Sequence, residues 1–181
     1  MQSTLLHKLI IVINGKGGSG KDTICDIVSK HHKTRNISTI TPIKEVASFG
    51  GWQGGKTEKD RKFLSDLKEL FSEYNDLPNN YALNEYKSFM KNQCEEVLFV
   101  HIREPENINK FIKSIDGNCI TLLVTGGKSQ NSYGNRSDDE VENYTYDYIY
   151  NNTKPLDEVE NDFMAFFENI INETERRYLP H

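Results

Sequence analysis

Three cysteines in 181 residues, Cys25, Cys94 and Cys119, lie far apart and match no metal-binding or redox spacing. A disulfide framework is therefore excluded, and the thiol usage is what a reducing cytoplasm permits. Long apolar runs are missing as well. The longest holds about five residues, too short for a signal segment or a membrane span, so a soluble intracellular protein is expected. Positive charge is not in excess: 22 Lys and Arg stand against 27 Asp and Glu, for a net charge of -5. That balance argues against a nucleic-acid partner and leaves cationic function to local clusters. No internal repeat or long low-complexity tract is present, and with 36% apolar residues and no break in composition, a single domain spanning 1–181 is expected.

What is present is concentrated near the start. The run Leu9 to Ile13 is followed by Gly15-Lys16-Gly17-Gly18-Ser19-Gly20-Lys21-Asp22-Thr23 and then by apolar residues at helical spacing, Ile24, Cys25, Ile27 and Val28. Strand, glycine loop and helix start in that order build an anion cradle. Side-chain-free positions let several amides approach the same oxygens, Lys21 adds a mobile positive charge, and the helix points its partial positive end at the ligand. The expected ligand is ATP with Mg²⁺, bound by Gly15, Lys16, Gly17, Gly18, Ser19, Gly20, Lys21, Asp22 and Thr23, with Thr23 and Asp22 toward the metal.

Apolar runs at Leu9–Ile13, Val97–Ile102 and Ile120–Val124 read as strands buried on both faces, with weaker ones at Ile37–Ile40 and Tyr146–Tyr150. Helical periods separate them. Ile108, Phe111, Ile112 and Ile115 share a face behind Pro105, and Leu156, Val159, Phe163, Phe166, Phe167 and Ile170 define a final helix. The alternation predicts an α/β fold, a parallel five-stranded sheet with helices on both faces and the phosphate loop at the carboxyl edge.

An insertion at about 42–95 separates the second and third strands, too long for a simple crossover. Thr57 can cap a helix there, with Phe63, Leu64, Leu67, Leu70, Phe71 and Tyr74 as its buried face. Arg61, Ser65, Lys68 and Ser72 form a stripe beside that face, where a phosphate group could be gripped or a solvated surface formed. Lys44, behind Thr41-Pro42, and Trp52, in the second glycine-rich loop, are further ligand-binding candidates, with packing the other role open to Trp52. No glycine-rich phosphate site is expected at 50–55, which reads as a hinge. The segment at about 126–138 reads as a loop.

The Gly-Lys-Asp-Thr form of the phosphate loop resembles the deoxynucleoside monophosphate kinases of phages and the phosphomevalonate kinases. That resemblance implies a P-loop fold with strand order 2-3-1-4-5 and an acceptor site in the helical insertion. It also implies a lid at 126–138 carrying Arg136 and Lys128, followed by Ser137-Asp138, and adenine contacts near Asn151, Asn152 and Thr153. Arg103 matches the arginine of the family's strand-end Asp-x-Arg, while His101 stands where the aspartate is expected. The implied catalytic set is Lys21, Arg103 and Arg136. Substrate binding falls to Lys44, Trp52, Arg61, Lys68 and Arg103. An acceptor phosphate is already anionic and needs cations rather than a base, and no base is visible beyond Asp22. The expected partner is thus a small phosphorylated molecule, a nucleoside monophosphate above all, with no nucleic acid, no membrane and a monomer or homodimer. Lys16 and Lys21 also resemble the two-lysine loop of dimerising regulatory ATPases. That alternative, and a nucleotide-binding protein with reduced catalysis, remain open.

Overall fold

The computed structural model describes residues 5, 7–127 and 140–178. Strands β1 (Leu9–Asn14), β2 (Thr34–Ser38), β3 (Val97–His101), β4 (Ile120–Gly126) and β5 (Tyr148–Asn152) pair in parallel, as the alternation predicts, in the order β2-β3-β1-β4-β5 that the resemblance implies. The central strand β1 is buried along its whole length, and its alternate residues divide between two cores. Leu9, Ile11 and Ile13 join Ile24 and Val28 of α1 (Lys21–Ser29) and Phe163 and Phe167 of α6 (Val159–Tyr178). Ile10 and Val12 turn to the other face, with Phe89 of α4 (Leu77–Lys91) and Ile108 and Phe111 of α5 (Pro105–Ser114). Such two-faced burial is why β1 reads as an unbroken apolar run rather than as an alternation.

Two strands begin and end away from their expected positions. β2 runs Thr34–Ser38 rather than Ile37–Ile40, and β5 runs Tyr148–Asn152 rather than Tyr146–Tyr150. Both are edge strands, so only Ile37 in β2 and Tyr150 in β5 are fully buried, and apolar content no longer marks the limits.

The helix α3 (Glu58–Asn75) corrects another expectation. None of Phe63, Leu64, Leu67, Leu70, Phe71 and Tyr74 is buried: Leu64, Leu67 and Phe71 are half-covered, whereas Leu70 and Tyr74 are 60% and 81% exposed. The helix lies against α4 and α2 (Thr41–Phe49), outside the layer that touches the sheet, so its apolar stripe meets only the flanks of other helices. Its start follows the sequence. Thr57 Oγ1 accepts from the Asp60 amide at 3.2 Å and Asp60 Oδ2 accepts from the Thr57 amide at 3.0 Å, a reciprocal cap.

Among the described residues no helix is long and apolar enough to cross a membrane.

Candidate active site

The loop from Gly15 to Gly20 leaves β1 at its carboxyl end and enters α1. Two glycines are fixed by geometry. Gly15, at φ 152°, would place a Cβ 2.4 Å from the Val124 carbonyl oxygen, and Gly20, at φ 91°, would place one 2.3 Å from Asn152 Nδ2. The loop is thus pressed against the ends of β4 and β5: a side chain at position 15 would meet backbone, and one at position 20 would be strained at that φ and would displace Asn152. Asn152 completes the clasp by donating from Nδ2 to the Ser19 carbonyl at 3.0 Å.

Helix α1 starts on Gly20 with no side-chain cap, in contrast to the capping box of α3. Its first-turn amides have no partner within the helix and are of the kind that anions satisfy. Lys21 folds its ammonium back onto the carbonyls of Gly15 and, at 3.0 Å, Lys16, which holds the charge at the mouth of the loop. Ser19 is 1% exposed and its hydroxyl has no protein partner, a buried polar group of the sort a bound oxyanion accommodates. A triphosphate therefore fits the loop. For Mg²⁺ the fit is of a particular kind: Asp22 and Thr23 lie exposed on the first turn, and no cluster of three His, Cys, Asp or Glu residues occurs among the described residues. Such a site suits a cation held by phosphate oxygens and water with one or two protein oxygens.

Lys16 turns to a different partner. Its ammonium lies 3.0 Å from Glu142, in the short 3₁₀ turn Glu140–Asn143. No local pattern announces this pair, which joins residues far apart in sequence.

At the end of β3, His101 occupies the face that packs on α1. Its Nε2 is 2.7 Å from Asn36 Oδ1 and 3.7 Å from Cys25 Sγ, which puts the single ring proton on Nε2. Burial, reinforced by the charges of Lys21 and Arg103 and opposed by Asp22, lowers its pKa to about 4, so the imidazole is neutral at pH 7. His101 is thus a hydrogen-bonded packing residue. The Cys25 thiol, buried on the same face, is pushed far up by desolvation and is inert.

The acceptor-side candidates are gathered only in part. Arg103 is exposed at the sheet edge, two residues after His101, and Arg61 is exposed on α3. Lys68 is half-buried, with its ammonium 2.6 Å from both carboxylate oxygens of Glu104. Burial would raise the Glu104 pKa, but the Lys68 charge and hydrogen bonds, including one from Asn107, bring it below the usual carboxylate range. Lys68 is therefore charge-matched within the protein. Trp52 donates from Nε1 to Asp60 Oδ1 at 3.1 Å and from its amide to the Ala47 carbonyl at 2.9 Å, pinning the glycine-rich loop between α2 and α3. Lys44 is exposed on α2. Lys128, Arg136, Ser137 and Asp138 lie outside the described residues, with most of the expected lid.

Asn14 was not singled out by sequence. It is fully buried at the end of β1, where its Oδ1 accepts from the Gly15 amide at 2.8 Å and its Nδ2 donates to the Arg103 carbonyl at 2.9 Å and to the Tyr146 hydroxyl at 2.8 Å. An asparagine closing an apolar strand directly before the glycine loop is the one signal that could have drawn attention to it.

The sheet order, the loop between β1 and α1, and the helices on both faces define the P-loop NTPase fold. Comparison with solved structures agrees. The chain is similar to TT1252 from Thermus thermophilus at 17% identity and a TM-score of 0.51, over 90% of this chain and 98% of that one. It is similar to the shikimate kinase of Bacteroides thetaiotaomicron at 20% identity and a TM-score of 0.50, over the same shares. It is also similar to a gluconokinase of Sinorhizobium meliloti at 12% identity and a TM-score of 0.50, over 98% of this chain and 100% of that one. No family model and no curated protein matches the sequence.

Proposed function

We propose that this chain is an ATP-dependent phosphotransferase that moves the γ-phosphate to a small phosphorylated acceptor, a (deoxy)nucleoside monophosphate. The observation that carries the reading is the phosphate loop itself: an uncapped helix start, two glycines at positive φ packed against the strand ends, and Lys21 at the mouth. Two of the similar structures are named as kinases of small molecules, which accords with phosphoryl transfer.

The choice of acceptor rests on the chemistry of the sheet edge and on the Gly-Lys-Asp-Thr resemblance. An alcohol acceptor gives up a proton and benefits from a base, whereas a phosphate acceptor needs neighbouring cations. Among the described residues of this edge, His101 is bonded to Asn36 and, with a pKa near 4, is a weak base, the Glu104 carboxylate is bound to Lys68 and that of Glu142 to Lys16, which leaves Asp22 on the donor side. Arg103 and Arg61 supply exposed positive charge. In this reading Lys21 and the loop amides hold the donor phosphates, Arg103 meets the acceptor phosphate, and Asp22 and Thr23 border Mg²⁺. When bound, the metal supplies neutralisation of charge on the donor phosphates.

The test is ADP release measured across a panel of nucleoside monophosphates, phosphomevalonate, shikimate and gluconate. Turnover with a monophosphate, lost in Lys21→Ala with the fold intact by circular dichroism, is expected. Turnover confined to an alcohol acceptor refutes the choice of acceptor, and ATP binding without turnover of any member refutes catalysis.

A further inference from the structure

Strand alternation places Asn14 on the same face of the sheet as Ile10 and Val12, and so among the residues contributed by α5 and the segment 140–146. That face is otherwise apolar around it: Val141 is fully buried, and Tyr146 is 8% exposed. A buried amide in such surroundings is costly unless its polar atoms are bonded, and here the carbonyl and the amino group both are. The three contacts reach three different parts of the chain. Asn14 Oδ1 holds the first amide of the phosphate loop, Asn14 Nδ2 holds the backbone of Arg103, and the Tyr146 hydroxyl receives the second Nδ2 hydrogen. Tyr146 passes the chain on by donating to the Val141 carbonyl at 2.8 Å. Every hydrogen of this relay therefore has one direction: Asn14 to Tyr146, Tyr146 to Val141.

We infer that Asn14 is a positioning residue which, anchored by the Tyr146 hydroxyl, sets the orientation of the Gly15 end of the phosphate loop relative to Arg103. The inference rests on the nucleotide site proposed above and extends it to residues that touch neither phosphate nor acceptor. The physical reason is that the amide plane is fixed only when both of its ends are bonded. Without Tyr146, Asn14 loses one of two Nδ2 contacts, and the plane can tilt away from Gly15. Alanine at position 14 removes all three contacts at once. Oxygens of a bound phosphate sense such a tilt because loop amides bind anions by direction as well as by proximity.

The experiment measures ATP affinity by titration calorimetry for the wild type, Tyr146→Phe, Asn14→Ala and the double variant, at a temperature where each is folded. Tyr146→Phe is expected to weaken ATP binding about threefold and Asn14→Ala about tenfold, the loss of roughly one net hydrogen bond or more. The double variant is expected to match Asn14→Ala, because the hydroxyl acts only through the amide. In the ¹H–¹⁵N spectrum of Tyr146→Phe the Gly15 resonance is expected to shift although Tyr146 does not touch it. This variant removes only one oxygen and carries the test if Asn14→Ala does not fold. A lowered melting temperature with wild-type ATP affinity and an unmoved Gly15 resonance overturns the inference, as does additivity in the double variant. Wild-type binding of ATP with no phosphate transfer refutes the proposed reaction while the affinities still decide the role of Asn14. Absence of ATP binding in the wild type overturns both.

Discussion

Gly20 shows how a single hydrogen in place of a methyl decides the site. Its φ of 91° lies in the left-handed region, and the space a Cβ would need is taken by the Asn152 amide that clasps Ser19. Gly20→Ala is therefore expected to lose stability by about 1–3 kcal/mol, the usual cost of a strained non-glycine residue, and to weaken ATP binding as Asn152 is displaced. Thermal unfolding and nucleotide titration check the two effects. His101 makes a prediction of opposite character, in pH. Its pKa is near 4 when folded against 6.5 when unexposed to the fold, so the unfolded chain binds the extra proton between those values. Stability contributed by the neutral imidazole is full above about pH 6.5 and is lost progressively as pH falls toward 4. His101→Gln is expected to flatten this part of the stability profile in urea titrations at stepped pH. An unchanged slope between pH 6.5 and 4 refutes the assignment.

At the scale of elements, α3 depends on few and specific ties because it has no buried residue of its own. The Lys68–Glu104 pair joins its middle to the residue that opens α5, with side chains 15% and 20% exposed. Lys68→Met leaves a mostly covered carboxylate without its cation. The expected loss is about 1–2 kcal/mol, below the range for fully buried pairs because water still reaches both groups, with faster hydrogen exchange confined to α3. Global acceleration of exchange would show instead that the pair supports the sheet. The same helix marks the limit of what the sequence discloses. Residues Phe63 to Tyr74 carry a helical apolar period, and the period establishes the helix, but it cannot tell a face that meets the sheet from one that meets two other helices. β1, β3 and β4 are legible because both faces are buried, whereas β2 and β5 drift by two or three residues because an edge strand spends few apolar residues on its limits. In the site, Gly15 to Thr23 is legible since one local turn contains the chemistry. Asn14, Glu142 and Glu104 are not, because their meaning lies in Tyr146, Lys16 and Lys68, partners 36 to 132 residues away.

For the molecule as a whole, the question is whether one copy is enough. Of the described candidate groups, Lys21, Thr23, Arg103 and Asn152 come from the carboxyl edge of one sheet, and the loop is clasped by Val124 and Asn152 of the same chain. A phosphotransferase built this way needs no second copy to bind its donor. The regulatory ATPase reading, which the pair Lys16 and Lys21 left open, needs nucleotide to create a dimer. In the present structure Lys16 is already ion-paired within its own chain to Glu142, an exposed contact that screens its charge modestly. A triphosphate entering the loop competes for that ammonium, so Glu142→Gln is expected to tighten ATP binding by about twofold to fivefold, the range set by an exposed ion pair. Light scattering then separates the two readings: the phosphotransferase keeps one molar mass with and without ATP and Mg²⁺, in the wild type and in Glu142→Gln alike. A mass that doubles only when ATP is present, and fails to do so in Lys16→Ala, would make the nucleotide a switch for assembly rather than a phosphate donor.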